Sequence, residues 1–142
     1  MNYIGYNARM PTSPFSARLD SGLIPRLKRL SLSEGITASQ LAERFIEEGV
    51  RSAELPGIVF RPGPTGRRAG LHGGPDVWEI VRDVQRARAT RARDPIGVVL
   101  RSTDLGEEQV RLALAYYARY PDDVDARMAA ADELEQTLAA GA

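Results

Sequence analysis

The sequence predicts a mainly α protein made of two small units, and three patterns carry that prediction. Six segments repeat their apolar residues at helical spacing, most of them bracketed by capping residues or glycine stops. One isolated stretch, "FSARLD", alternates apolar and polar at strand period and runs straight into a helix. A further pair of weakly alternating stretches flanks a Gly- and Pro-rich turn and reads as a hairpin. The expected architecture is a strand–helix–helix whose two-stranded sheet forms between chains, then a small α+β domain and a C-terminal helix. Its segments are a flexible arm at 1–13, a first unit at 14–55, a second at 58–121 and a terminal acidic helix at 122–142.

The N-terminal arm contains Gly5 and Pro11 and has no periodicity. In the strand, Phe15, Ala17 and Leu19 fall on one face and Ser16, Arg18 and Asp20 on the other. Asp20 or Ser21 can cap the first helix, in which Leu23, Leu27 and Leu30 recur at helical spacing. Pro25 is tolerated there because first-turn N–H groups have no intrahelical acceptor. Gly35 is a natural left-handed stop. Thr37, with Gln40 three residues on, makes a capping box for a second helix. Its apolar stripe is Leu41, Ala42, Phe45 and Ile46, extended by Gly49 and Val50. Leu55-Pro56-Gly57 closes the unit.

In the second unit, strands near Ile58–Phe60 and Ala69–Leu71 are joined by a turn near Pro64–Gly66. Asp76 caps a helix with the stripe Val77, Trp78, Ile80, Val81 and Val84. The basic stretch "RARATRAR" leads to Asp94-Pro95, a cap and proline that open the short helix "IGVVLRS". "TDLGEEQVRLALAYYARY" predicts a longer helix that buries Val110, Leu112, Ala113, Leu114 and Tyr117. Pro121 and Asp122 open the terminal helix, expected to run to about Ala139 with Val124, Met128, Ala131, Leu134 and Leu138 on one face.

The 142 residues suffice for one ordinary domain or two very small ones, and the apolar fraction of 43% excludes wholesale disorder. Lys plus Arg balance Asp plus Glu at 19 each, but the charge lies in blocks. Residues 1–35 carry +3, 36–57 carry −2, 58–103 carry +5 and 104–142 carry −6. A chain so patterned can present a basic face while neutral overall, or pair its blocks internally. Cysteine is absent, which excludes disulfides and thiolate metal sites. No apolar run is long enough to span a bilayer and no signal peptide is legible, so the cytoplasm is the expected compartment.

Catalytic signals are weak. His72 is the only histidine and lies in a Gly-rich turn, where it reads as a surface residue. "GPTGRRAGLHGG" lacks the Lys-Ser/Thr ending and the strand-to-helix context of a phosphate-binding loop. Asp122, Asp123 and Asp125 are explained by capping and dipole compensation, and Trp78 by packing. No enzyme activity and no cofactor or metal is expected.

A strand of about six residues and two helices have too little core to stand alone. Two copies would pair their strands antiparallel and bury the Leu and Phe stripes against each other, with the polar strand faces on a ribbon that fits a DNA major groove. The alternating strand, the sixteen residues between Arg18 and Gly35, and the "EGITASQL" turn resemble the ribbon-helix-helix family of repressors over roughly residues 14–52. That resemblance implies base reading by strand positions 14, 16 and 18 and a phosphate anchor at Thr37 and Ala38, and Lys28 is a further candidate DNA contact. Pro14 departs from the pattern because proline cannot hydrogen-bond a base edge, which leaves the reading to Ser16 and Arg18.

"GGPDVWEIV" and "DLGEEQVRLALAYYARYP" resemble a bacterial family known as domain of unknown function 433, over about residues 58–127. The family's usual Gly-Thr-Arg turn is replaced here by Gly73-Gly74-Pro75. The resemblance implies a winged-helix-like domain and an antitoxin of the VapB type. Base reading by the long helix is disfavoured, because it opens with Asp104, Glu107 and Glu108. Arg67 and Arg68, with Arg82, Arg86, Arg88, Arg91 and Arg93, are the candidate phosphate contacts.

The two resemblances together imply the antitoxin of a type II toxin–antitoxin pair. It would be a homodimer, with higher oligomers on DNA, that represses its own operon and holds a PIN-type ribonuclease toxin. The alternatives are a stand-alone dimeric repressor and a dimeric interaction module that binds no DNA.

Overall fold

The structure is a computed structural model that describes residues 10–141. Residues 1–9, most of the expected arm, lie outside the described residues. The described chain is mainly α, with six helices and one two-stranded antiparallel sheet. It divides into Met1–Arg51 and Ser52–Ala142. The terminal helix, expected as a separate segment, falls in the second unit.

In the first unit, residues 11–20 form neither helix nor strand within a single chain and are exposed. Helix α1 (Leu23–Glu34) starts after Gly22 with no side-chain cap, contrary to the expected Asp20 or Ser21. Asp20 lies just before it, its Oδ1 accepting from the Gly22 N–H at 2.8 Å and its carbonyl from Leu23 at 3.0 Å. Gly35 ends α1 at φ 68°, and the N–H groups of Gly35 and Ile36 close back on the carbonyls of Leu32 and Ser31. Helix α2 (Ala38–Glu54) opens on the expected capping box, in which Thr37 N–H donates to Gln40 Oε1 and Gln40 N–H to Thr37 Oγ1, each at 3.0 Å.

The second unit has a conventional apolar interior. Strands β1 (Ile58–Arg61) and β2 (Arg68–Leu71) pair in the register Ile58↔Leu71 to Arg61↔Arg68. Gly66, at φ 107°, closes the turn by donating to the Gly63 carbonyl. Helices α3 (Val77–Ala89), α4 (Pro95–Ser102), α5 (Glu107–Arg119) and α6 (Pro121–Ala140) follow. Ile58, Ala69 and Leu71 of the hairpin, the α3 stripe, Val99, Val110, Ala113, Tyr116 and Val124 form one buried cluster. The Asp94 carboxylate accepts from Gly97 N–H at 2.9 Å with Pro95 in the first turn, the predicted start of α4.

Two expectations for the long helix change. It begins at Glu107, leaving Thr103 to Gly106 outside. Tyr116 rather than Tyr117 is the fully buried tyrosine. Its ring lies edge-on to Phe60 at 6.3 Å and beside Tyr120 at 5.0 Å, so the hairpin decides which of two neighbouring aromatics turns inward. Leu112 and Leu114 are partly buried flanks of the same core. In α6, Val124 and Met128 join the core, whereas Leu134 and Leu138 are exposed.

Candidate nucleic-acid interface

The first unit is turned inside out. Leu41 is buried, but the other buried positions of α2 are Arg44, Glu48 and Arg51. Arg44 grips Glu34 through both terminal nitrogens, at 2.5 and 3.0 Å, and Arg51 donates to Glu47 at 2.8 Å. The apolar residues that pattern analysis assigns to the interior face solvent instead. Phe15 is 81% exposed, Leu30 48% and Ile46 56%, with Leu19, Leu23, Ile24, Phe45 and Val50 exposed alongside them.

The predicted DNA-contacting residues of this unit are accessible. Ser16, Arg18, Lys28 and Thr37 are exposed and Ala38 half-buried. Ser16 and Arg18 lie on the segment without secondary structure, Lys28 on α1, and Thr37 and Ala38 at the start of α2, where the capping box already serves the Gln40 N–H. Arg26 and Arg29 flank Lys28 on α1 and are exposed too; "PRLKRL" carried that signal, and sequence reasoning passed over it. Among the described residues, Arg18, Arg26, Lys28 and Arg29 make no side-chain hydrogen bond or ion pair, whereas Glu34 and Glu47 are engaged by Arg44 and Arg51.

The hairpin arginines need a correction. Arg68, expected to contact phosphate, is only 8% exposed, and its guanidinium donates to Asp76 Oδ2 at 3.2 Å and Thr65 Oγ1 at 3.0 Å. Register places Arg61 directly opposite Arg68, and two like charges so placed would repel. The Asp76 carboxylate bridges them: Arg61 Nε donates to its Oδ1 at 2.9 Å, and Arg61 also reaches the Gly74 carbonyl at 2.6 Å. Trp78 Nε1 donates to the same carboxylate at 3.2 Å. Gly63 and Gly70 provide the room, since a Cβ at either would collide with the Arg68 or Arg61 guanidinium. Arg67 is half-buried and donates to the Phe60 carbonyl at 3.3 Å. Arg127, buried in α6, donates to the Thr65 carbonyl and ties the turn down. The arginines of this hairpin build the fold.

The basic stretch after the hairpin behaves differently. Arg82 lies over the Trp78 ring at 4.7 Å and pairs with Glu135 at 3.3 Å, joining the third charge block to the fourth. Arg86 and Arg88 occupy the last turn of α3, and Arg91 and Arg93 follow it; all four are exposed. None of these four makes a side-chain hydrogen bond or ion pair among the described residues. Elsewhere in the unit, Arg111 pairs with Glu107 at 2.7 Å and Arg119 with Glu54.

Three tyrosine–carboxylate pairs bind α5 and α6 to their surroundings: Tyr116 to Asp123 at 2.6 Å, Tyr117 to Asp125 at 2.8 Å and Tyr120 to Glu54 at 2.5 Å. The hydrogen bond to Asp125, then burial, then the Asp125 charge raise the Tyr117 phenol above its ordinary value. A cleft between α3 and α4 is lined by Asp83, Arg86, Thr90, Val98, Ser102 and Thr103. Its hydroxyls donate back to carbonyls of their own helices. Among the described residues, no three His, Asp or Glu side chains gather as a metal site, and no helix is long and apolar enough to cross a membrane. No protein-family model, curated protein or solved structure matches the chain.

Proposed function

We propose that the protein is a dimeric, ribbon-helix-helix DNA-binding antitoxin that represses its own operon and neutralises a PIN-type ribonuclease. The observation that supports this reading is the apolar surface of the first unit. Phe15 and Leu19 in the segment without secondary structure, Leu23 and Leu30 on α1, and Phe45, Ile46 and Val50 on α2 are all exposed in one chain. A second copy, paired strand to strand over residues 15–19, would cover them. The outward face of that ribbon would carry Ser16 and Arg18, and Arg18 can grip guanine O6 and N7 through its planar fork.

The antitoxin half of the reading rests on α6. Its last turns expose Leu134 and Leu138 beside Asp132 and Glu133, an acidic surface suited to a basic nuclease. The second unit, with its hairpin followed by helices, takes the winged-helix-like role.

A labelled fragment of the region upstream of the reading frame tests the DNA claim. Binding should weaken steeply with salt, and Arg18→Ala should abolish operator preference while the dimer persists. Absence of binding by the intact protein at any salt concentration overturns the claim and leaves a dimeric interaction module. Co-purification from the native host tests the toxin claim: a stoichiometric small ribonuclease is expected, and a repressor recovered alone refutes it.

A further inference from the structure

We infer that the C-terminal end of α3 is a second nucleic-acid contact, one that takes the phosphate backbone irrespective of sequence through Arg86, Arg88, Arg91 and Arg93. The inference rests on the DNA-binding reading above and adds a surface in the other unit. Most arginines of the second unit are engaged; Arg101, in the last turn of α4, is an exposed exception outside the α3 cluster. Arg61, Arg68, Arg82, Arg111, Arg119 and Arg127 are held by carboxylates or carbonyls of the second unit. The four at the end of α3 are exposed and engage no side chain or carbonyl among the described residues, although the chain carries a −6 block after residue 103. The only acidic residues within this turn and linker are Asp83, half-buried, and Asp94, whose Oδ1 is committed to the Gly97 N–H.

Backbone geometry adds an independent argument. Helix α3 ends in a Schellman motif, with Arg91 N–H donating to the Arg88 carbonyl and Ala92 N–H to the Ala87 carbonyl. The left-handed position of such a motif favours glycine, yet Arg91 holds it at φ 58°, the only non-glycine residue with positive φ among the described residues. Compensation of the helix dipole accounts for cations at Arg86 and Arg88, but it fades beyond the last turn. It explains neither Arg93 nor an arginine kept where glycine relieves strain. A polyanion does explain them, since clustered guanidinium groups at Arg and Lys surfaces take phosphate oxygens and release counterions. Arg86 also borders the α3–α4 cleft, where the hydroxyls of Thr90, Ser102 and Thr103 are committed to carbonyls and Asp83 supplies an acidic neighbour.

The test uses the full chain and two labelled duplexes, the upstream fragment and a scrambled sequence of equal length, titrated over a range of salt concentrations. Arg86→Ala, Arg88→Ala, Arg91→Gly and Arg93→Ala combined should make the slope of log affinity against log salt shallower by about 3.6 on both duplexes, at roughly 0.9 for each of the four lost phosphate contacts. The ratio of affinities for the two duplexes should stay as in the unmodified protein. Arg91→Gly alone controls for folding: its thermal midpoint should equal or exceed that of the unmodified chain while its salt slope falls by about 0.9. A slope unchanged in the fourfold variant, with operator preference intact, overturns the inference and leaves the proposed function standing. Non-specific binding that the fourfold variant loses, in a protein with no operator preference, supports the inference and counts against ribbon reading. Failure of the unmodified protein to bind either duplex overturns both.

Discussion

The two units solve the problem of a small core in opposite ways. The second hides Ile58, Leu71, Val77, Ile80, Val84, Val99 and Val110 within one chain and arranges its arginines around them as clamps. The first leaves Phe15, Leu30, Phe45 and Ile46 in solvent and turns Arg44, Glu48 and Arg51 inward. An apolar surface of that kind is what a chain carries when its core is assembled from two copies. The comparison separates a unit that buries its apolar residues within the chain from one that leaves them exposed, as the proposed two-copy assembly requires.

Equivalent substitutions in the two units break the comparison most sharply. Val84→Asp places a charge at a position with no exposure and should cost about 4 kcal/mol or more, unfolding the second unit at any protein concentration. Ile46→Asp falls on an exposed position and should alter the single chain by only about 0.5 kcal/mol. It should nevertheless abolish the dimer in sedimentation, and with it the rise of the unmodified protein's melting midpoint with concentration. Equal behaviour of the two variants would erase the distinction.

Asp76→Ala comes next. It leaves Arg61 facing Arg68 across the hairpin with no carboxylate between them, and removes an acceptor from Trp78. Breaking a largely buried pair in this way costs about 3 kcal/mol, discounted here because Arg61 is 35% exposed. Urea unfolding followed by Trp78 fluorescence reads the effect. In the first unit, Thr37→Ala removes half of the capping box and should cost about 1 kcal/mol, whereas Thr37→Gly should cost only a few tenths.

How much of this was legible in the sequence depends on the range of the interaction. Gly35, the Thr37–Gln40 box, the Asp94-Pro95 start and the Pro64–Gly66 turn are decided within a few residues, and each stands where pattern analysis placed it. The Asp76 clamp was not legible, because it joins residues fifteen and eight positions apart and depends on Gly63 and Gly70 for clearance. For the same reason Arg68 read as a surface cation. Tyr116 and Tyr117 are both apolar enough for the α5 stripe, and only Phe60 on the hairpin settles the choice. At the candidate interface, sequence named Ser16, Arg18 and Lys28, which the fold leaves exposed, but could not separate the engaged arginines of the second unit from the unengaged ones.

The smallest expected effect concerns pH. The Tyr117 phenol is held above its ordinary value, so its neutral form is favoured in the folded state. Its contribution is complete below the ordinary phenol value and is lost as pH rises through the raised folded value. Tyr117→Phe should lower the urea midpoint slightly at neutral pH, where the hydrogen bond to Asp125 is lost, and flatten its fall above about pH 10.

Amide hydrogen exchange over Phe15–Asp20, followed as a function of protein concentration, tests the two-copy account most directly. In one chain these residues belong to no strand or helix, and their amides should exchange freely. Pairing across a two-fold axis predicts that alternate amides become protected as concentration rises, and that Ile46→Asp removes the protection. Free exchange at every concentration, in a protein that sediments as a dimer, would contradict the account.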